Sequence, residues 1–281
     1  MSAVVWLNGR LVPVESATVG ITDHGLTVGD GVFETTKVVR GVPFARTRHL
    51  ARLHDSARAI GLALPPDDYL CEAIDAVCAT VAEHDLARLR LTVTTGPGPA
   101  GSARGQGPPT VWASATPTSP PGAPETAIVV PWRRNEYGAL TGVKTTSYAE
   151  NVVALAAARA AGVGEAFLAN TAGDLCEGTG TNVFCVLDGA AVTPPLSSGC
   201  LAGVTRALVL AWCPQVVERR VTLADLARAE EVFVTSATRD VHAVATVDGQ
   251  RPGGPDAAVP GPLTAAIARV FTKRAAAEHD P

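Results

Sequence analysis

The chain is poor in lysine, with only Lys37, Lys144 and Lys273 beside twenty arginines in 281 residues. An amine can lose its proton and attack a carbonyl carbon, which a guanidinium cannot do, so a lysine kept in an arginine-rich sequence is a candidate nucleophile. Lys37 follows a strand-like run and Lys273 lies in a charged C-terminal helical pattern, and both settings are typical of solvated surface charges. Lys144 lies between an apolar stretch and an alanine-rich helical pattern. We therefore predict that Lys144 forms a Schiff base.

Other features are also missing, and each absence removes a class of function. The net charge is only −4 and the basic residues form no stripe, so nucleic acid is not expected as a partner. No apolar run reaches the roughly 18 residues that a bilayer span needs, and the N-terminus lacks a basic segment followed by an apolar one. The six cysteines include no Cys-x-x-Cys pair, which predicts buried thiols and no metal site. We expect a cytoplasmic protein without a membrane contact.

The order of strand and helix patterns predicts an α/β protein of the α+β two-domain type. A chain of 281 residues with 47% hydrophobic content is long enough for one large core or two smaller ones. The stretch from Pro117 to Pro124 is rich in proline, which is typical of a linker. The predicted parts are a smaller N-terminal α/β domain (1–117), a linker (118–125) and a larger β-rich domain with surrounding helices and the catalytic lysine (126–281).

Hydrophobic periodicity places regular elements in both parts. Asn8-Gly9 predicts the turn of a β-hairpin, and residues 32–39 have the character of a strand. Apolar residues recur at helical spacing over 69–84. In the second part we predict an alanine-rich helix over 148–161 and a strand over 165–170.

Four groups could serve one anionic cofactor that carries an aldehyde and a ring nitrogen. Lys144 would supply the amine, and a carboxylate at Glu177 could keep a pyridine nitrogen protonated, which makes the ring an electron sink. Gly203-Val204-Thr205 begins a predicted helix, where free backbone N–H groups suit a phosphate. Ser236-Ala237-Thr238 follows a predicted strand and offers two hydroxyls. Each pattern alone is most often a simple turn, but the four together predict a cofactor site.

Longer segments around these groups resemble one family, the class IV aminotransferases, which are fold-type-IV pyridoxal-phosphate enzymes. That family includes branched-chain aminotransferases, D-amino-acid aminotransferases and 4-amino-4-deoxychorismate lyases. The resemblance extends from Asn8 to Ala268 and rests on residues 23–34, 49–56, 144–151, 177–184, 193–206 and 230–238. It implies pyridoxal 5'-phosphate as the cofactor, a small amino substrate, and a homodimer in which a loop of the partner subunit helps to close the substrate pocket.

The same resemblance implies roles for individual residues. Lys144 binds the cofactor aldehyde and later moves the substrate α-proton, and Glu177 contacts the pyridine nitrogen. Arg52 matches the arginine that binds the phosphate, for which a fork of N–H donors is well suited. The other implied cofactor contacts are Tyr148 at the ring hydroxyl, Leu201 on one ring face, and Gly203, Val204, Thr205, Ser236, Ala237 and Thr238 around the phosphate.

Departures from the family patterns narrow the choice of member. D-Amino-acid aminotransferases place a tyrosine where this chain has Phe33 and a carboxylate-binding arginine near Thr94–Gly96, so both positions argue against that activity. Branched-chain enzymes are usually longer and differ over 29–34. The short length and the loop 95–104 are more similar to bacterial aminodeoxychorismate lyases, with Arg104 as a candidate for a substrate carboxylate. The candidates for the pocket wall are Phe33, Thr35, Thr36 and Lys37.

The predicted function is therefore that of an aminodeoxychorismate lyase, which eliminates pyruvate and yields 4-aminobenzoate for folate. The alternative is an aminotransferase that acts on a branched-chain or other small amino acid with a 2-oxo acid acceptor. A third hypothesis, a silent binding protein, is disfavoured, because a binding shell needs neither the nucleophile Lys144 nor an electron-sink partner such as Glu177.

Overall fold

The computed structural model describes residues 3–281, and its backbone forms two compact units. The first unit comprises the chain as far as Pro120, Val143–Tyr148 and His279–Pro281. The second unit comprises Pro121–Gly142 and Ala149–Glu278. Each unit contains one sheet and its own helices, which confirms the predicted mixed fold class.

The first unit is a six-stranded antiparallel sheet with helices packed on one face. Its strands are β1 (Val4–Leu7), β2 (Arg10–Pro13), β3 (Gly31–Val39), β4 (Val42–Pro43), β5 (Ala87–Thr94) and β6 (Thr110–Pro117), in the order β2-β1-β6-β5-β3-β4. Its helices are α1 (His24–Thr27), α2 (Arg46–Ile60) and α3 (Asp67–Ala79). Leu53 of α2 and Leu70 of α3 are fully buried against Val32 and Leu91 of the sheet, which forms the core of this unit.

The two faces of strand β3 have different surroundings, because successive side chains of a strand point to opposite sides of the sheet. Val32 and Val38 face the helices and belong to the core. Thr36 shares their side and is buried, and its hydroxyl donates to Phe44 O at 2.7 Å, whereas Phe33, Thr35 and Lys37 lie on the other side. The opposite face carries the antiparallel pairs Phe33–Thr92, Thr35–Arg90 and Lys37–Arg88.

The second unit is an eight-stranded mixed sheet. Its strands are β7 (Glu125–Arg134), β8 (Glu165–Asn170), β9 (Leu175–Gly178), β10 (Asn182–Leu187), β11 (Ala190–Thr193), β12 (Val216–Glu218), β13 (Glu231–Ser236) and β14 (Asp240–Val247), in the order β12-β11-β10-β13-β14-β7-β8-β9. Its helices are α4 (Ala149–Ala160), α5 (Val204–Trp212), α6 (Leu223–Ala227) and α7 (Pro262–Ala277). Helix α4 buries Ala154 and Ala158 against Val130 and Leu168, where small side chains allow close approach to the sheet.

Several details differ from the sequence predictions. Residues 143–148, with Lys144, group with the first unit rather than with the rest of the predicted larger domain. Residues 118–124, inside the predicted linker, form neither helix nor strand. Strand β14 was not predicted, and Glu177 lies within β9. Among residues 3–281, no helix is both long enough and apolar enough to cross a membrane.

Candidate active site

Hydrogen bonds to the carbonyl oxygen and from the N–H of Lys144 fix its backbone. Its carbonyl oxygen accepts a hydrogen bond from Phe33 N at 3.0 Å, and its own N–H donates to Ser56 Oγ of α2 at 3.2 Å. The next residue, Thr145, forms a bridge to Val32 of β3. The segment around Lys144 therefore runs beside β3, and hydrogen bonds from β3 and α2 set the direction of its side chain.

The Lys144 amine lies over aromatic rings. Its Nζ is 4.4 Å from the centroid of the Phe33 ring and 5.9 Å from that of the Tyr148 ring. The two rings meet edge to face, with centroids 5.4 Å apart and planes at 81°. Cation–π attraction acts within about 6 Å and orients an ammonium group without neutralising it. The structure thus brings together three residues that the sequence had predicted separately.

Gly29 explains part of the glycine-rich pattern over 29–34. Its carbonyl oxygen accepts hydrogen bonds from Thr146 Oγ1 at 2.8 Å and from Ser147 Oγ at 3.0 Å. Gly29 has φ +70°, and a Cβ there would lie 2.4 Å from Ser147 Oγ. Only glycine fits this backbone conformation in this space. The motif therefore holds the chain on the C-terminal side of Lys144.

On the helix-facing side of β3, Arg52 is fixed by the buried carboxylate of Glu34. Arg52 Nε donates to Glu34 Oε1 at 2.8 Å and Nη2 to Oε2 at 2.7 Å, while His49 Nδ1 lies 2.6 Å from Oε2. Burial alone would raise the pKa of Glu34, but the charge and hydrogen bonds of Arg52, with His49, outweigh it and lower the pKa to about 2. Burial lowers the pKa of His49. The predicted phosphate contact of Arg52 stays a prediction, now with a side chain whose position is set by Glu34.

Arg90 is a residue that sequence reasoning missed. Its guanidinium carbon lies 3.8 Å from the Phe33 ring centroid and 5.6 Å from that of Trp112, and its Nε donates to Thr92 Oγ1 at 3.2 Å. Burial lowers the pKa of Arg90. Within residues 3–281 this half-buried guanidinium forms no ion pair with a carboxylate. Such a cation suits a carboxylate brought by a ligand. The only signal in the sequence was its place opposite Thr35, which required the strand register.

Arg104 has a different setting from the one expected for a substrate contact. Its Nε and Nη2 each donate to the Asp30 carboxylate at 2.7 Å, Nη2 also donates to Ile60 O at 2.7 Å, and Nη1 to Gly61 O at 2.6 Å. Hydrogen bonds from Arg104 lower the pKa of Asp30. The side chain thus ties the loop 96–109 to the end of α2. Binding a substrate carboxylate would require Arg104 to leave these partners.

In the second unit, Glu177 is held by a backbone donor and a cation. Leu201 N donates to Glu177 Oε2 at 2.9 Å, so these two predicted cofactor residues are in contact. Arg134 Nε lies 3.1 Å from Glu177 Oε1, but its N–H does not point at the oxygen, which makes the contact an ion pair and not a hydrogen bond. Arg134 also pairs with Glu150 at the start of α4. Glu177 is buried, and these contacts hold its carboxylate in a defined position.

The start of α5 and the end of β13 meet at Asn182. Asn182 is paired with Thr235 in the strand register, and its Nδ2 donates to Leu201 O at 2.8 Å. A Cβ on Gly203 would lie 2.0 Å from Asn182 Oδ1, so glycine is required for this approach. The structure therefore brings the predicted helix start, residues 203–205, beside the strand that leads to the predicted turn, residues 236–238.

The two predicted phosphate-binding segments are a helix start and a turn. No side chain caps α5, so the N–H groups of Val204 and Thr205 have no acceptor within the helix. Ser236 ends β13, and its hydroxyl accepts a hydrogen bond from Arg239 N at 3.2 Å, which closes the turn around Ala237 and Thr238. The sequence identified these segments, but it did not identify Asn182, Arg134 or Arg239.

Comparisons with known proteins identify the family. The family model described as amino-transferase class IV matches residues 31–247. A protein of Methanocaldococcus jannaschii that is provisionally named a branched-chain-amino-acid aminotransferase is 38% identical over 256 residues, which cover 88% of each chain. The D-alanine aminotransferase of Bacillus licheniformis is 32% identical over 272 residues, 92% of this chain and 93% of that one. The solved branched-chain aminotransferase of Escherichia coli has a TM-score of 0.86 at 28% identity, over 97% of this chain and 94% of that one.

The chain belongs to the class IV aminotransferase family. It is an enzyme that uses pyridoxal 5'-phosphate, as the sequence predicted. The residues present fit this cofactor: an oriented amine at Lys144, a buried carboxylate at Glu177, and the uncapped start of α5. When bound, the cofactor supplies an aldehyde for the amine and a protonated ring that accepts the electron pair released at the substrate Cα.

Proposed function

We propose that this protein is an aminotransferase for a branched-chain or other small amino acid, with a 2-oxo acid as acceptor. The observation that carries the proposal is the Lys144 amine, 4.4 Å from the Phe33 ring centroid, with the Arg90 guanidinium 3.8 Å from the same centroid. A carbonyl-attacking amine near a cation that can pair with a carboxylate suits an α-amino acid and its 2-oxo acid. The names of the relatives, branched-chain and D-alanine aminotransferases, support transamination.

In this proposal the Lys144 amine would hold the cofactor and would act as the base that takes the proton from the substrate Cα and gives it back. Glu177 keeps the proton on the ring nitrogen, and Phe33 restricts water around the amine. The remaining cofactor contacts are Tyr148 at the ring hydroxyl, Leu201 on a ring face, and Arg52, Gly203, Val204, Thr205, Ser236, Ala237 and Thr238 at the phosphate.

The nucleophile is tested by Lys144→Ala and Lys144→Arg. Wild-type protein with pyridoxal 5'-phosphate should show a visible absorbance band, and borohydride should leave a stable adduct on the peptide that contains Lys144. Both variants should lose the band and the adduct. The arginine variant keeps a cation near Phe33, so it separates the need for charge from the need for a nucleophile. An adduct mapped to Lys37 or Lys273 would contradict the proposal.

The aminodeoxychorismate lyase favoured by the sequence is the second candidate. It is supported by the basic sheet face of Lys37, Arg88 and Arg90, which suits a substrate with two carboxylates. The two activities differ in their need for an acceptor. Release of pyruvate from aminodeoxychorismate without a 2-oxo acid would establish the lyase. Amino transfer from leucine or alanine that requires 2-oxoglutarate would establish the aminotransferase, and assays of both enantiomers would give its chirality.

The role of Arg90 is tested by Arg90→Gln against the matched variant Arg88→Gln. Arg88 is exposed on the same sheet face, two residues away on β5. Loss of a charged hydrogen-bonding partner should raise KM for 2-oxoglutarate by about 10- to 100-fold in Arg90→Gln. Pyruvate has only the carboxylate next to its keto group. A KM for pyruvate that does not change in Arg90→Gln would therefore show that Arg90 binds the second carboxylate of 2-oxoglutarate, and a raised KM would show that it binds the first. Equal effects of the two variants would exclude a specific contact.

We further propose a cytoplasmic homodimer. The support for the dimer is a set of exposed apolar residues that lie close together in the sequence of the first unit, namely Val19, Ile21, Leu26 and Val28. Ile21 is 83% exposed, which is unusual for a large aliphatic side chain near others of its kind. Ile21→Asp should shift the mass measured by light scattering from dimer to monomer, and a wild-type monomer would contradict the proposal.

A further inference from the structure

Glu165 is a buried carboxylate that the proposed chemistry does not use. It is the first residue of β8 and is 0% exposed. Its Oε1 accepts hydrogen bonds from Thr179 N at 2.9 Å and Thr179 Oγ1 at 2.5 Å. Its Oε2 accepts from Thr181 Oγ1 at 3.1 Å and from Arg239 Nη1 at 2.9 Å. Because the group is excluded from water, its position depends on these protein donors.

Two of the donors belong to the loop that follows Glu177. Thr179 comes directly after β9, and Asn151 of α4 holds the same residue through a hydrogen bond from Nδ2 to Thr179 O at 2.6 Å. A Cβ on Gly178 would lie 2.2 Å from Thr181 Oγ1 and 3.1 Å from Glu165 Cδ. The loop is therefore packed directly on the Glu165 carboxylate, which constrains the backbone that carries Glu177.

The remaining side-chain donor belongs to the turn between β13 and β14. Ser236 and Asp240 are paired in the register, so residues 237–239 form the turn. Arg239 is anchored at both ends, because its N–H donates to Ser236 Oγ and its side chain reaches Glu165 Oε2. The position of the turn, with the predicted phosphate contact Thr238, depends on this anchor.

We propose that Glu165 is a positioning residue that fixes the loop behind Glu177 and the turn of Thr238 relative to each other. It acts through Thr179 and Thr181 on one side and through Arg239 on the other. The proposal rests on the proposed function, since that function assigns Glu177 to the cofactor ring and Thr238 to its phosphate. It assigns Glu165 no contact with the cofactor.

The test is the affinity of the cofactor-free protein for pyridoxal 5'-phosphate and for phosphate-free pyridoxal, measured by absorbance titration. In Glu165→Gln one carboxylate oxygen becomes an NH2 group, so the side chain cannot accept both from Thr179 at the Oε1 position and from Thr181 and Arg239 at the Oε2 position. Loss of hydrogen bonds to a charged group should raise the dissociation constant of pyridoxal 5'-phosphate by about 10- to 100-fold. The affinity for pyridoxal should fall clearly less, because pyridoxal has no phosphate group to bind at the turn of Thr238. Arg239→Gln, which also removes the ion pair between Arg239 and Glu125 at 3.5 Å, should reproduce the effect. The double variant should lose less affinity than the sum of the two single losses, because Glu165 and Arg239 share one contact.

Glu231→Gln is the matched control. Glu231 is also a buried glutamate of this unit, and it accepts from Leu263 N at 3.0 Å and Thr264 N at 2.7 Å at the start of α7. This variant should lose thermal stability without losing affinity for pyridoxal 5'-phosphate. If Glu165→Gln does not fold, Arg239→Gln carries the test, because Arg239 is 30% exposed and its replacement can be hydrated.

The outcomes distinguish a failure of the positioning role of Glu165 from a failure of the proposed function. Wild-type affinity in Glu165→Gln and Arg239→Gln, or equal losses for pyridoxal and its phosphate, would overturn the positioning role alone. A wild-type protein that binds no pyridoxal 5'-phosphate would overturn the proposed function and this inference with it.

Discussion

Glu34 in the first unit and Glu165 in the second are both buried carboxylates paired with an arginine, but their partners differ. Glu34 accepts from His49 and Arg52, which lie on one helix, α2. Glu165 accepts from a loop and from Arg239 in a separate turn. A carboxylate whose partners share a rigid helix stabilises the fold. A carboxylate whose partners lie on separate loops mainly sets the positions of those loops.

The largest expected effect is on stability in Glu34→Ala. It would remove the Glu34 carboxylate from His49 and Arg52, whose side chains are only 6% and 12% exposed. Breaking a buried pair in this way should lower the free energy of unfolding by about 3–5 kcal/mol. Urea unfolding followed by circular dichroism measures this. Glu165→Gln should lose less, because Arg239 can reach water. Equal losses of unfolding free energy in Glu34→Ala and Glu165→Gln would contradict the difference between the two carboxylates.

The fall in the free energy of unfolding at low pH should also depend on Glu34. Its pKa falls from 4.5 to about 2 on folding, because the Arg52 charge and the hydrogen bonds outweigh the opposing effect of burial. A lowered folded-state pKa gives stabilisation that is present above the unfolded value and is lost as the pH falls towards the folded value. The contribution lost between these pH values is about 3 kcal/mol.

This loss is measured by urea unfolding at a series of pH values in wild-type protein and Glu34→Gln. The stability advantage of the wild type should shrink as the pH falls from about 4.5 towards 2. Asp225→Asn is the control: hydrogen bonds from Thr222 lower the pKa of Asp225 to about 2 at the start of α6, near the surface, where screening makes the contribution smaller. A wild-type advantage independent of pH would contradict the cause given for the Glu34 pKa.

Local sequence signals predicted the elements whose pattern is independent of their neighbours. The strand at Glu165–Asn170 has the bounds expected, and the turn at Asn8-Gly9 joins β1 to β2. The helix expected to reach His84 ends at Ala79, because Val81 N and His84 N instead make tighter turn hydrogen bonds to residues three before them. Val81 is buried all the same, so the apolar spacing over 69–84 reflects burial although the helix does not continue through it.

The sequence supplied candidate residues for the site one by one, but it did not supply the contacts that support them. Lys144 was found from scarcity and chemistry, since a nucleophile has a recognisable residue type. Its grouping with the first unit depends on hydrogen bonds to β3, which no local pattern encodes. Glu165 and Arg239 are 74 positions apart in sequence, and their contact follows only from the strand order of the second sheet.

A smaller effect is expected where the loop packs on Glu165. Gly178→Ala would push a Cβ against Thr181 Oγ1, which overpacking data predict to cost about 1–3 kcal/mol of stability. Gly180→Ala is the matched control two residues away, since nothing lies within 4 Å of a Cβ there. Thermal unfolding should separate the two, and titration with pyridoxal 5'-phosphate should show weaker binding only in Gly178→Ala. A neutral Gly178→Ala would mean that the loop is not held against Glu165.

A small effect on stability is expected from Arg104→Ala. Its ion pair with Asp30 is more exposed than the pairs of Glu34 and Glu165, so it shows how much burial contributes. Arg104 grips Asp30 with the same two-donor geometry that Arg52 uses on Glu34, but its side chain is 36% exposed. Water can replace exposed ion pairs, so the free energy of unfolding should fall by only about 0–1 kcal/mol. The loop 96–109 would lose its tie to Ile60 O and Gly61 O, so limited proteolysis should cut it faster. Arg58→Ala, which breaks the exposed pair with Asp55, should change neither. A loss in Arg104→Ala as large as that in Glu34→Ala would show that geometry, rather than burial, decides the strength of these pairs.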